Sequence, residues 1–459
     1  MTHAFKSTYR PSRRLRAQWP VVFASLVISV ISFRASPALA IEPVQRIVSP
    51  GGIEALLIES HEVGLISMRI SFKGGALQDP ADKPGVAYFV GYMFNEGAGD
   101  FSPTELMRRR TRIGSSFSGS ALGERIHINF SAPSVQRDEA FRLLKLAIAS
   151  PRFDAEPMER ARRGALASLE QERLDPGSVT MSRLSELLFG QTRYAIPVKG
   201  TPDAVARISV DDVRAYRMRV FARDTLQVAV AGDIDAATLA KVLDDLFAGL
   251  PAKADLQPAP AIVTATAQHH AIAMSLPQTI VAFGNVAPLL DARQGLAASL
   301  FNQVLSAQFT GRLFQAVRER EGLVYSISTG RGRFLQSEMF YGTFGAAPSN
   351  TSRAMALTMS EIDRLVREGP TEDELRDAKA AFRGGYYLGL DSSSNLSGML
   401  MTILSEGLPD SYLVNFDAEV ASVTINEVRA AAKLVAHPDR MVSVSVGKVD
   451  EAQTPRLVP

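Results

Sequence analysis

Few residues in this chain have the types and spacing that chemistry needs. Beyond residue 40 there are five histidines: His61, His127, His269, His270 and His437. A helical zinc-hydrolase motif needs two imidazoles on one helix face with a carboxylate close by. No two of these histidines stand three to five residues apart, and neither H-E-x-x-H nor H-x-x-E-H occurs. His269 and His270 are adjacent, and on a strand they would point to opposite faces. Histidines scattered in this way read as core or surface residues. The absence of cysteine excludes thiol catalysis, iron–sulfur clusters and Cys-ligated zinc. No G-x-S-x-G elbow and no Walker loop is present. Gly74-Gly75 reads as a turn closing a strand, and Gly232-Asp233-Ile234-Asp235 as the turn after another. The basic run Arg108-Arg109-Arg110-Thr111-Arg112 reads as the solvated face of a helix. Nucleic-acid binding would need a basic footprint across the whole domain, which is lacking.

One segment gathers several chemically able residues: Gly311-Arg-Leu-Phe-Gln-Ala-Val-Arg318-Glu-Arg-Glu-Gly322-Leu-Val-Tyr325-Ser-Ile-Ser. It reads as an amphipathic helix that stops at Gly322 and enters a strand. Arg318 falls in the last helical turn and Tyr325 early on the strand. Each has an ordinary structural use, since Arg complements the dipole at a helix C-terminus and Tyr favours strands.

The elements that would position these residues follow from the rest of the chain. It has 459 residues, 46% apolar and 21% charged, with 33 Gly and 25 Pro, an ordinary globular composition. Of 50 basic and 48 acidic residues, six basic and no acidic ones lie in residues 1–40, so the remainder carries 44 against 48. Basic residues through Arg16 precede an apolar run from Trp19 to Phe33, and Ala38 and Ala40 fit an A-x-A cleavage site. Residues 1–40 therefore read as a signal peptide for export to the periplasm. The apolar run is shorter than the roughly 20 residues of a membrane-spanning helix. An uncleaved anchor is the alternative, and Ser12-Arg13-Arg14 only partly fits a twin-arginine signal.

The remaining chain contains itself twice. Ile208-Ser-Val-Asp-Asp-Val-Arg-Ala215 recurs as Val423-Thr-Ile-Asn-Glu-Val-Arg-Ala430, at an offset of 215. Gly85-Val-Ala pairs with Gly295-Leu-Ala at 210, and Gly114 to Phe117 with Gly322 to Tyr325 at 208. Such a period is a duplicated domain, not a solenoid. Both copies of the first repeat read as a helix capped by Ser209 or Thr424, followed by a strand, and Thr371 with Glu374 forms a capping box. The proline-spaced stretch Pro251–Pro260 marks the boundary, giving domains at 41–250 and 263–459 with a linker at 251–262. In the first half, strands are expected near 54–60, 65–74, 115–121, 124–131 and 225–231. Helices are expected near 83–95, 103–113, 135–149, 155–173, 179–188 and 209–220. The fold class is α+β: two homologous domains, each an antiparallel or mixed sheet with helices packed on one face.

On these residues the chain resembles the pitrilysin family of inverted-motif zinc peptidases, which includes mitochondrial processing peptidase and insulin-degrading enzyme. Arg312-Leu313, Arg318-Glu319, Gly322-Leu323 and Tyr325-Ser326 fit that family's C-terminal-domain signature. The duplicated α+β halves fit as well, and the resemblance covers nearly everything after residue 40. It implies that two such halves make one half of a clam-shell chamber.

The departure from the family is as informative. Where family peptidases carry H-x-x-E-H, this chain has Tyr88-Phe-Val-Gly91-Tyr92. Both histidine positions are Tyr, and the general-base position is Gly91. The family's third ligand would fall near Ala167 or Ser168, and the nearby Glu170 is not at the matching position. The resemblance therefore implies a subunit that binds no zinc. It would lend Arg318 and Tyr325 to substrate binding and oxyanion stabilisation, opposite a partner subunit that carries H-x-x-E-H and zinc. The first-half counterpart of Tyr325 is Phe117, which has no hydroxyl. The alternative is a proteolytically inactive scaffold or peptide-binding homologue.

Overall fold

The computed structural model describes residues 43–260, 262 and 265–448. The expected signal peptide lies outside the described residues. The first half runs β1 (Gln45–Val48), β2 (Glu54–Glu59), β3 (Leu65–Lys73), α1 (Val86–Met93), α2 (Pro103–Arg112), β4 (Ser116–Ala121) and β5 (Arg125–Pro133). It continues with α3 (Arg137–Ala149), α4 (Ala155–Leu174), α5 (Pro176–Phe189), α6 (Pro202–Arg207), α7 (Val210–Val220), β6 (Leu226–Gly232) and α8 (Ala236–Phe247). The second half runs β7 (Gln268–Ala273), β8 (Thr279–Pro288), α9 (Ala292–Ser306), a π-helical segment Phe314–Arg320, β9 (Val324–Arg333) and β10 (Ser337–Ala346). It closes with α10 (Thr351–Glu368), α11 (Glu372–Leu388), α12 (Ser393–Glu406), α13 (Tyr412–Ser422), α14 (Ile425–Val435) and β11 (Val442–Gly447).

Local sequence chemistry sets these boundaries. Capping boxes open α7 at Ser209–Asp212, α11 at Thr371–Glu374 and α14 at Thr424–Glu427. Helix α1 begins three residues later than its pattern suggests, because Pro84 precedes Gly85, whose φ of +111° is closed to most side chains. The strand β1 and the helices α6 and α8 have no counterpart among the expected elements.

The duplication is visible in the sheets. One runs β1-β2-β6-β3-β5-β4 and the other β7-β11-β8-β10-β9. Without β1 the two orders coincide strand for strand. The pairing senses coincide too: β2–β6 and β11–β7 are parallel, and the remaining neighbours are antiparallel. In both sheets the last strand, β4 or β9, is a free edge.

Helices on a single face prove to be only half of the packing. In the first sheet, Leu57, Met68, Ile70 and Phe72 pack on the half's own helices through Phe89, Val213 and Leu239. The alternate residues Leu56, Ile58, Ala229 and Ala231 point the other way and are covered by Leu400, Met401 and Ile403 of α12, from the second half. The exchange is mutual: Leu184, Leu188 and Phe189 of α5 cover Ala282, Val442, Val444 and Val446 of the second sheet. Each fully buried side chain of this kind contributes about 1.5–3 kcal/mol. Covering on both faces explains why β11 is buried at every position, as in a core strand.

The stretch after Pro251 is tied to the first half. The Pro251 carbonyl accepts from Arg223 N–H, Asp255 N–H donates to the Arg219 carbonyl, and the Gln78 amide exchanges two bonds with the Gln257 backbone.

Candidate functional site

Tyr88, Gly91 and Tyr92 all lie on α1. The helix start is held by Asp79, whose carboxylate accepts the N–H groups of Gly85 and Ala87, each at 2.7 Å. Burial pushes the Asp79 carboxyl up to about 7, against the pull of those two donors and of Arg193 and Arg219. Tyr88 and Tyr92 are one turn apart, with ring centroids 6.3 Å apart, and both pack partly on the first core.

Gly91 faces the free-edge strand. A Cβ there would stand 2.8 Å from both the Cα and the carbonyl carbon of Ser120, and 2.9 Å from Ala121 N. On the strand side, a Cβ at Gly119 would stand 2.6 Å from the Gly91 carbonyl oxygen. Two glycines thus let α1 lie directly on β4, and no side chain fits at Gly91, the position expected for a general base.

The region expected for a third ligand holds a cation already. The Lys199 ammonium donates to Ser168 Oγ at 2.7 Å and to the Glu172 carboxylate, both on α4. It lies close enough to Tyr88 to oppose the upward shift that burial gives that phenol. Arg160 lies near Tyr92 and pairs with Glu96 at 2.6 Å. Glu170 is exposed and paired with Arg173. Among the described residues no group of three or more His, Cys, Asp or Glu could hold a metal ion. Two phenols and a hydrogen do not replace two imidazoles and a carboxylate, so the residues present do not fit zinc.

Arg318 and Tyr325 are brought together. The π-helical segment is closed off just beyond its end by Gly322, whose φ of +59° suits glycine, with Gly322 N–H on the Arg318 carbonyl and Leu323 N–H on that of Val317. This reversal sends the chain into β9 with Tyr325 back beside Arg318. The guanidinium carbon is 4.7 Å from the Phe314 ring centroid and 5.4 Å from that of Tyr325, so it is held between two aromatic faces. Tyr325 is 80% exposed. Its hydroxyl is thus open to an incoming group. Short π-helical segments are frequent at functional sites.

Arg312, in the same motif, has a different task. It makes a two-pronged pair with Glu374, both bonds at 2.7 Å, at a side-chain exposure of 11%. Burial pushes the Glu374 carboxyl up, but Arg312 and the Thr371 N–H outweigh it and hold it below the usual range. Arg312 therefore anchors the segment to α11.

The duplication extends further than the repeats show at first. Arg110 stands four residues before Gly114, as Arg318 stands before Gly322, and seven before Phe117, as Arg318 stands before Tyr325. The Arg110 guanidinium lies 4.3 Å over the Phe117 ring, and its Nη1 donates to the Phe117 carbonyl at 2.7 Å. Phe117 is 4% exposed, and burial lowers the Arg110 pKa. Arg110 is thus a partly buried anchor of the edge strand, not part of a solvated face. The basic run hid it, and the spacing to the glycine is the sequence feature that reveals it. Lys199 left no such trace.

Both halves of the chain are similar to known proteins. Residues 55–201 match the Insulinase (Peptidase family M16) family, and residues 207–382 match the Peptidase M16 inactive domain. The non-peptidase homolog YmxG of Helicobacter pylori is 24% identical over 373 residues, covering 81% of this chain and 86% of its own. An uncharacterized zinc protease of Mycobacterium tuberculosis is 25% identical over 406 residues, covering 87% and 92%. Among solved structures, a peptidase M16 inactive domain from Pseudomonas fluorescens superposes with a TM-score of 0.84 at 25% identity, covering 89% of this chain and 98% of that one. The periplasmic protease PqqL from Escherichia coli gives 0.77 at 15% identity, covering 89% of this chain but 46% of PqqL. Matched in both halves and carrying the second-half signature without the first-half zinc ligands, the chain belongs to peptidase family M16.

Proposed function

We propose that this chain is the non-zinc subunit of an exported, periplasmic heterodimeric zinc metalloendopeptidase, proteolytically inactive alone. Its two domains form one half of a chamber. A partner subunit of the same family forms the other half and brings H-x-x-E-H and zinc. The observation that carries this reading is the contrast between two copies of one unit. The Phe117 ring of the first copy is buried in the packing of β4 with Arg110 on its carbonyl, whereas in the second copy Arg318 is half-buried and only loosely paired and the Tyr325 ring is exposed. A ready pair of donors with no fold task suits a substrate carbonyl. As that carbonyl becomes an oxyanion, guanidinium N–H and phenol O–H meet the charge where it develops. The match to about half of PqqL supports a chain that makes half of a larger chamber.

The test is co-purification followed by a cleavage assay. The chain alone should hold no stoichiometric zinc and cleave no peptide. Mixed with an H-x-x-E-H subunit it should support cleavage, and Tyr325→Phe should lower kcat about 100-fold, as loss of one oxyanion donor does. Cleavage by the isolated chain, or an unchanged rate for Tyr325→Phe, refutes the proposal. A second reading, a non-proteolytic scaffold, is favoured by the H. pylori relative described as a non-peptidase homolog. A homodimer that cleaves nothing with any family partner would establish it.

A further inference from the structure

Among the described residues, two non-glycine positions have positive φ: Phe153 at +51° and Phe309 at +70°. For a bulky residue this is a strained backbone state, and it persists only when something holds it. At Phe153 the compensation is plain, because the ring is 4% exposed and belongs to the first core. At Phe309 burial does not compensate, because the residue is 59% exposed. The fold nonetheless fixes it there. Gln315 Nε2 donates to the Phe309 carbonyl, Gly311 N–H bonds to Ala307 O at 2.8 Å, and a Cβ at Gly311 would stand 2.5 Å from Ala307 N.

What the strain achieves is the position of the ring. Phe309 meets Phe314 edge to face, with centroids 5.2 Å apart, and Phe314 carries the Arg318 guanidinium on its other contact at 4.7 Å. Phe309, Phe314, Arg318 and Tyr325 form one continuous run of contacts, ending in carbonyl-binding donors at one side and an open apolar ring at the other. Those three contact steps span no more than about five residues of extended peptide at roughly 3.3 Å each.

We propose that Phe309 is the apolar wall of a substrate subsite that takes a bulky aromatic or aliphatic side chain, within about five residues of the carbonyl gripped by Arg318 and Tyr325. This rests on the peptide-binding part of the function proposed above and adds a side-chain preference to it.

The test uses the purified full chain and two fluorescein-labelled nonapeptides that differ only in a central Phe or Ala, with binding read by anisotropy. The native chain should bind the Phe peptide about fivefold to tenfold more tightly, the range of one aromatic contact. Phe309→Gly should bring the two affinities within twofold, without lowering the melting temperature, because glycine relieves the positive φ. Equal affinity of the native chain for the two peptides, or no binding of either, overturns the inference. So does a preference that survives in Phe309→Gly. A melting temperature that drops as far as in Phe153→Gly makes Phe309 a packing residue and also overturns it. Cleavage in the mixture with a partner, and its response to Tyr325→Phe, reports on the proposed subunit function separately, since neither enters this binding measurement.

Discussion

The closure of the motif position at Gly91 can be tested with one methyl group and an internal control. Gly91 and Gly164 are both helical, on α1 and α4. Alanine in a helix interior is favoured over glycine by about 1 kcal/mol, so both substitutions start from the same gain. At Gly164 a Cβ meets nothing within 4 Å, and the gain should appear in full. At Gly91 the Cβ would stand 2.8 Å from two backbone atoms of Ser120 and 2.9 Å from a third on Ala121. Backbone of a paired strand cannot turn aside as a side chain would. Overpacking of this kind costs about 1–3 kcal/mol and outweighs the helix gain in most of that range. The same Gly→Ala change is therefore expected to raise the melting temperature at 164 and lower it at 91. The two should end about 2–12 °C apart, at roughly 2–4 °C per kcal/mol. Differential scanning calorimetry of the two single variants decides it. A Gly91→Ala protein stabilised as much as Gly164→Ala would refute the close approach of α1 to β4. The same geometry bears on metal binding. Restoring the motif as Tyr88→His, Gly91→Glu and Tyr92→His should not yield stoichiometric zinc by elemental analysis, because the Glu has no room and Lys199 remains. One bound zinc per chain would refute that.

Three further outcomes follow from named contacts. Lys199→Met removes the ammonium that joins Ser168 and Glu172 and should destabilise the chain by about 1 kcal/mol, to the same extent with and without a chelator; a chelator-dependent loss would contradict a metal-free site. Arg110→Ala should cost about 1–3 kcal/mol, since it leaves the Phe117 carbonyl without its donor, whereas Arg318→Ala should leave the unfolding midpoint nearly unchanged and abolish support of cleavage. His127 is pushed down to about 4 by burial, aided by Arg125 and Arg69, so between pH 6.5 and 4 the unfolded chain takes up a proton that the folded chain refuses. Stability therefore falls as pH drops through that window, and His127→Gln should remove about 1–2 kcal/mol of the loss between pH 6.5 and 5. Asp79, shifted the opposite way, is present in both proteins and cancels in the comparison, so parallel urea midpoints at the two pH values would refute the assignment.

The first half's strands and most of its helices were legible because alternation and capping are local. Ser209 with Asp212, and Thr371 with Glu374, announce their helices within four residues. What an apolar helix face covers is not local. Leu400 and Ile403 mark α12 as amphipathic, but nothing in their spacing says that the partner is the other half's sheet. The candidate site divides in the same way. The absence of H-x-x-E-H from Tyr88 to Tyr92 is legible because that motif is contiguous. The reason Gly91 is glycine lies on β4, some 30 residues away, and only the structure brings the two together. Arg110 was misread because its neighbours Arg108 and Arg109 do pair with Glu105 at the surface, while Arg110 turns inward to Phe117.

The two Arg–aromatic units bear on why a chain without metal ligands keeps a donor pair at all. They descend from one repeat, share the spacing to a left-handed glycine, and sit beside equivalent edge strands. A unit needed only for packing is expected to look like the first copy, with its ring in the core and its guanidinium on a backbone carbonyl. The second copy could have done the same, yet its ring is a tyrosine left in solvent and, among the described residues, its one carboxylate partner, Glu319, is 3.9 Å away. Exposing a large ring and leaving a guanidinium loosely paired adds little to stability. Phe309 adds a strained, exposed ring to the same run of contacts. Three features that each fail to stabilise the fold, gathered within 17 residues of sequence and one line of contacts, are better explained by something that binds there than by the packing of β9.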